Sequence, residues 1–156
     1  MRINFYDLRL TDSGGVTLAK ESGVNYGAEK MDSPNEIALL ADRLLGLTAK
    51  AEEHIYMLSL NSACRATGVF LLSKGTVNAA LISPREIYIR ALLTGAVQII
   101  LIHNHPSGTV IPTEEDRKVT ERVKQAGEIL NIPLADHVIV GGGNGAYLSF
   151  REAGLL

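Results

Sequence analysis

Two histidines two residues apart, His103 and His105, follow the apolar run Val97-Gln98-Ile99-Ile100-Leu101-Ile102. In an extended chain, residues i and i+2 leave the same face, so the two imidazoles converge. Pro106, Gly108 and Pro112 suit a loop that turns the chain back, and Asp116 then falls in the first turn of a helix. A carboxylate there meets the positive end of the helix dipole, which favours its ionised form. Two neutral imidazoles and one carboxylate suit Zn²⁺, and three protein ligands leave a fourth position for water, the pattern of a catalytic site. A water nucleophile also needs a proton acceptor and a group that steadies the oxyanion. Glu53, at the start of a predicted strand, is the candidate base; Glu52 beside it and Glu86 are its rivals. Glu86 already has a structural role as the N3 residue of a capping box. Thr113 is the candidate hydroxyl: as N-cap its oxygen accepts from the helix backbone, leaving its proton free to point into a site, with plain capping as the alternative.

Other chemistry-bearing residues read as structural. His137 is expected to be a packed or hydrogen-bonded core histidine, with support of a metal ligand as the alternative. His54 points away from the face of Glu53. Ser107 is a turn residue, since no base is implied for it. The run Gly141-Gly142-Gly143-Asn144-Gly145 lacks a Lys-Ser/Thr ending and precedes no helix, so it reads as a turn and not a phosphate loop.

The elements that must position these residues follow from spacing. Ser33-Pro34-Asn35-Glu36 is a capping box with proline at the first helical position, and Ile37, Leu40, Leu44 and Leu47 continue it as a helix to about Ala49–Ala51. Residues 53–60 and 68–73 are strands joined by a hairpin loop, and Ala79–Ile82 is a third short strand. Ser83-Pro84-Arg85-Glu86 opens a second helix, which runs to about Thr94 and stops at Gly95. The β-branched run 97–102 is a strand buried on both faces. A third helix starts at Thr113 and places Val119, Val123, Ala126 and Leu130 on its apolar face. Residues 136–140 form a last buried strand, and 146–150 an edge strand. Of the first thirty residues, Ile3–Leu8 is either a short strand or part of a mobile or partner-bound arm, with Gly14-Gly15, Gly23 and Gly27 as turns. The expected division is an N-terminal arm or strand over 1–32 and the main domain over 33–156. Mixed strands and helices without strict alternation give an α/β class, a curved mixed sheet flanked by helices.

Composition bounds the answer without supplying chemistry. The 156 residues are 46% hydrophobic and 21% charged, which excludes wholesale disorder. A single cysteine, Cys64, cannot form an internal disulfide and points to a reducing, cytoplasmic setting. No apolar stretch is long enough to span a bilayer or to serve as a secretion signal. The net charge of −2 and a pI near 6.1 lack the basic excess of a DNA-binding domain.

The segment His103-Asn104-His105-Pro106-Ser107-Gly108 through Pro112-Thr113-Glu114-Glu115-Asp116 resembles the metal motif of the JAB/MPN (JAMM) metalloproteases, and more narrowly the RadC branch. Gly75-Thr76, Ser83-Pro84-Arg85-Glu86 and Ile132-Pro133-Leu134-Ala135-Asp136-His137-Val138-Ile139 also match that branch. The resemblance implies a cytidine-deaminase-like fold. It implies Zn²⁺ held by His103, His105 and Asp116, with Thr113 at the family's Ser/Thr position and Glu53 at its upstream glutamate. It implies metal-assisted hydrolysis of a peptide or isopeptide bond, on a protein or peptide substrate. A non-catalytic binding scaffold and a DNA-repair accessory are the competing roles. Longer RadC proteins carry an N-terminal helix-hairpin-helix region, for which the thirty or so residues before the first helix leave no room; this puts direct nucleic-acid binding in doubt. No membrane role is implied. Val110-Ile111 and the N-terminal residues are candidate contacts in an oligomer.

Overall fold

The computed structural model describes residues 1–75 and 82–156. In chain order its elements are β1 (Arg2–Leu10), β2 (Val16–Asn25), α1 (Pro34–Arg43), β3 (His54–Leu60), β4 (Ala66–Lys74), α2 (Pro84–Leu93), β5 (Gln98–Asn104), α3 (Glu114–Leu130), β6 (Leu134–Val140) and β7 (Tyr147–Ser149). The strands form one mixed sheet in the order β2-β1-β4-β3-β5-β6-β7. β1 pairs with β4, and β5 with β6, in parallel; the other neighbours are antiparallel. The fold class is therefore mixed α/β, with an open sheet and helices on both faces.

Side-chain alternation along β5 sorts the core into two layers. Ile99 and Leu101 pack with Ile55, Met57 and Phe70 against Ile87, Tyr88 and Ala91 of α2 and Val119 and Val123 of α3. Ile100 and Ile102 face the other way, with Leu58, Val138 and Val140, onto Ile37, Leu40 and Ala41 of α1. A strand covered on both faces is apolar on both, which is why 99–102 reads as a continuous apolar run. His103 continues the Ile99–Leu101 face and so emerges on the side of α2 and α3.

Several details depart from the sequence expectations. Ser33 is the N-cap of α1, but its side chain makes no capping bond. The helix ends at Arg43, short of the expected Ala49–Ala51, because the chain passes through Gly46 at a φ of 60° and tightens into a 3-10 turn at Leu47–Ala49. Ser83 does cap α2, accepting from the Arg85 backbone. Glu86 does not close a capping box there; its carboxylate pairs with Arg85 at 2.8 Å and Arg90 at 3.5 Å. On α3, Leu130 is 42% exposed and the buried position is Gly127, which lets Tyr88 of α2 and the Ile132 carbonyl approach the helix. At the N-terminus, residues 2–25 form an antiparallel hairpin turning at residues 11–15, and Gly23 lies within β2 and not in a turn. Phe5 pairs with Val69, so β1 lies in the same sheet as β3 and β5. The strand expected at Ala79–Ile82 falls, apart from Ile82, outside the described residues. Among the described residues no helix is long and apolar enough to cross a membrane.

Candidate metal centre

β5 ends at Asn104, and His105 follows with its backbone N–H bonded to the Val140 carbonyl, so the extended run continues one residue past the strand. This keeps the rings of His103 and His105 on one face, their Nε2 atoms 3.0 Å apart. Across the gap stands Asp116, the N3 residue of α3. Its Oδ1 lies 3.2 Å from His103 Nε2 and its Oδ2 3.4 Å from His105 Nε2. All three residues are buried, and their ligand atoms lie within 4.8 Å of one another. The group could hold a metal ion. The donor chemistry fits one: His105 Nδ1 faces the Thr109 carbonyl at 3.0 Å, and a carbonyl only accepts, so that nitrogen carries the proton. In neutral His105 the Nε2 lone pair then points at the other donors, an arrangement that an electropositive centre stabilises.

Charge already shapes the group. The hydrogen bond that protonated His105 donates to Asp116 raises its pKa against the opposing effect of burial, helped by the Asp116 charge, the Thr109 carbonyl and the charge of Glu53. Burial would raise the Asp116 carboxyl, but hydrogen bonds from His103 and His105 in their protonated forms, the His103 charge and the Thr113 hydrogen bond override it and hold it far below the usual carboxylate range.

Thr113 does what the capping alternative required. Its Oγ1 accepts from the Asp116 backbone at 3.1 Å and donates to Asp116 Oδ2 at 2.6 Å, and its backbone N–H reaches the same oxygen at 2.7 Å. The hydroxyl proton expected to be free is therefore engaged with Asp116. The physical reason is the box itself: an aspartate at N3 has an acceptor within reach of both Thr113 donors. Thr113 orients Asp116.

The β3–β5 register places Glu53. Ile55 pairs with His103, so continuing the antiparallel ladder sets Glu53 beside His105 and on its face. Glu53 is half-buried, and its charge reaches His105. Its neighbour Glu52 turns outward toward Lys74, at 3.7 Å. Asn104 fixes this edge: its Oδ1 accepts from His54 N at 2.8 Å and its Nδ2 donates to the Glu52 carbonyl at 3.1 Å, gripping the backbone on both sides of Glu53. His54 is buried, with Nδ1 at the Glu52 carbonyl.

His137 touches the group, which the preferred sequence reading did not give it. Its Nε2 lies 2.8 Å from His103 Nδ1 and its Nδ1 2.7 Å from Thr120 Oγ1. Phe150 stacks on its ring at 4.8 Å. Complete burial, followed by the nearby His103 charge, pushes the His137 pKa well below its ordinary value. Thr120 and Asn104 were missed from sequence. Thr120 was findable in principle, because it stands at i+4 from Asp116 on one face of α3. Asn104 carries no such signal, since its role depends on which strand lies beside β5.

The profile of the family described as RadC-like JAB domain matches residues 31–155. A UPF0758 protein from Pelodictyon phaeoclathratiforme is 46% identical over 107 residues, covering 69% of this chain and 47% of its own length. Those from Clostridium acetobutylicum and Rubrobacter xylanophilus are 36% and 40% identical, each over 85% of this chain and 56% of their own length. The chain spans about half the length of these relatives. With this family profile covering most of its length, the chain is a member of the RadC-like JAB domain family.

Proposed function

We propose that the protein is a zinc-dependent hydrolase of the JAMM type that cleaves a peptide or isopeptide bond. The observation that carries this reading is the convergence of two imidazole Nε2 atoms and one buried carboxylate within 4.8 Å. His103, His105 and Asp116 would hold the ion. When bound, Zn²⁺ supplies Lewis acidity and lowers the pKa of a coordinated water toward about 7. The Glu53 carboxylate, on the face of His105, takes a proton at its oxygen and returns it to the leaving amine. Thr113 keeps Asp116 in place through two hydrogen bonds to Oδ2. Asn104 holds the backbone on which Glu53 stands.

The test has two arms. Elemental analysis of purified protein is expected to find one zinc per chain, lost when His103 and His105 are both alanine. Mass spectrometry of a peptide library is expected to show cleavage by the zinc-loaded protein and none by Glu53→Gln, which keeps its zinc. Absence of stoichiometric zinc in the wild type, or unchanged cleavage by Glu53→Gln, would refute the reading.

A further inference from the structure

We propose that Thr120 and His137 are positioning residues for His103: they hold its ring proton on Nδ1, so that the Nε2 lone pair faces His105 and Asp116. This rests on the metal-binding reading above.

Each proton along one chain of hydrogen bonds can be assigned in turn. Thr120 Oγ1 lies 2.6 Å from the backbone carbonyl of Asp116. A carbonyl has no proton to give, so the single hydroxyl proton of Thr120 points there. The short contact between Thr120 Oγ1 and His137 Nδ1, at 2.7 Å, then needs its proton from the ring, and His137 carries it on Nδ1. A neutral imidazole protonated on Nδ1 has its lone pair on Nε2. His137 Nε2 therefore accepts from His103 Nδ1–H across 2.8 Å. His103 is left with its Nε2 lone pair, 3.0 Å from His105 Nε2 and 3.2 Å from Asp116 Oδ1.

The chain begins and ends on one residue. The Asp116 carbonyl anchors Thr120, and the Asp116 carboxylate meets the far end of His103. A single turn of α3 thus supplies both a candidate ligand and the anchor that decides how a second candidate ligand on β5 presents itself. His103, Thr120 and His137 are all buried, so water does not compete for these bonds. The ring of Phe150, tilted only 20° from that of His137, fixes the plane in which the bond to His103 must lie.

A core histidine with satisfied nitrogens would make the same contacts without consequence for metal. Thr120→Val and Thr120→Ser separate the two cases. Valine keeps the shape and removes the hydroxyl; His137 Nδ1–H then has no acceptor, and the ring gains by moving its proton to Nε2, where it opposes the His103 proton. Serine keeps the hydroxyl. Zinc affinity is measured by competition with a chromophoric chelator. Loss of such an outer partner weakens metal binding about 10–100-fold, so Thr120→Val is expected to bind that much more weakly, with Thr120→Ser close to wild type. Long-range ¹H–¹⁵N correlation on the metal-free protein is expected to show both His103 and His137 protonated on Nδ1. Protonation of wild-type His103 on Nε2 alone, or equal zinc affinity of the two variants, would overturn the proposal. A wild type that takes no zinc yet shows both rings protonated on Nδ1 would uphold the hydrogen-bond chain and remove the zinc reading.

Discussion

Asp116 has two roles that substitution can separate. It closes the cap of α3, accepting the Thr113 backbone and hydroxyl protons at Oδ2, and it faces both imidazoles. Asp116→Asn keeps the capping role, because the amide oxygen can accept both Thr113 donors while the NH₂ group turns toward His103 Nε2. The loss is the charge. A favourable helix-dipole contact is worth about 0.3–1 kcal/mol, and charge-assisted bonds are roughly twice as strong as neutral ones. A destabilisation of about 1–2 kcal/mol follows for the metal-free protein. Asp116→Ala loses the cap altogether and leaves the Thr113 backbone and hydroxyl donors without their acceptor, at about 1–3 kcal/mol for each. Neither variant retains an anionic ligand. Urea unfolding in the presence of a chelator reads the first comparison. Repeating it with free zinc at about a hundred times its dissociation constant should stabilise the wild type by about 2.7 kcal/mol and the variants far less. Equal stability of the two metal-free variants would refute the capping argument. Zinc stabilisation of Asp116→Asn as large as that of the wild type would refute the ligand assignment.

Gly127→Ala should reverse the usual sign for a helix, where alanine gains about 1 kcal/mol over glycine. A Cβ there would press on the Tyr88 hydroxyl and lie 2.6 Å from the Ile132 carbonyl, displacing the 2.9 Å Tyr88–Val123 bond. Unfolding titrations should show a loss of about 2–4 kcal/mol. Asp136 accepts from His137 N, Ser149 Oγ and Arg151 N. Asp136→Ala should therefore cost about 3–5 kcal/mol and Ser149→Ala about 1–2 kcal/mol, because the former orphans three donors around a buried carboxylate and the latter one Asp136 oxygen and the part-buried Glu152 N–H. In the metal-free protein His137 and His105 act on opposite sides of pH. The His137 pKa is lowered on folding, chiefly by burial, so below about 6.5 the unfolded chain binds a proton that the folded one does not, and stability drops by about 1.4 kcal/mol for each unit that the pH is lowered. The His105 pKa is raised by Asp116, so its contribution is full below about 6.5 and fades as pH rises through the folded value. His137→Gln should flatten the acid limb of a stability-against-pH curve; an unchanged slope would refute the assignment.

The sequence by itself singled out the His103, His105 and Asp116 triplet and its local supports. His103 and His105 share a face because of strand periodicity, and Asp116 sits at N3 because Thr113 precedes a helix; both are short-range consequences of chain geometry. The β-branched run before His103 likewise declares a strand covered on both faces. The tertiary structure alone decided what surrounds the triplet. Which glutamate faces His105 depended on the β3–β5 register, where a slip of one residue would exchange Glu53 for Glu52. His137 and Thr120 reach His103 only because β6 lies parallel to β5 and α3 packs across both, contacts between residues far apart in the chain. Local propensity fixes which residues are offered to a site, whereas the pairing of strands and the packing of α3 decide which proton each of them holds.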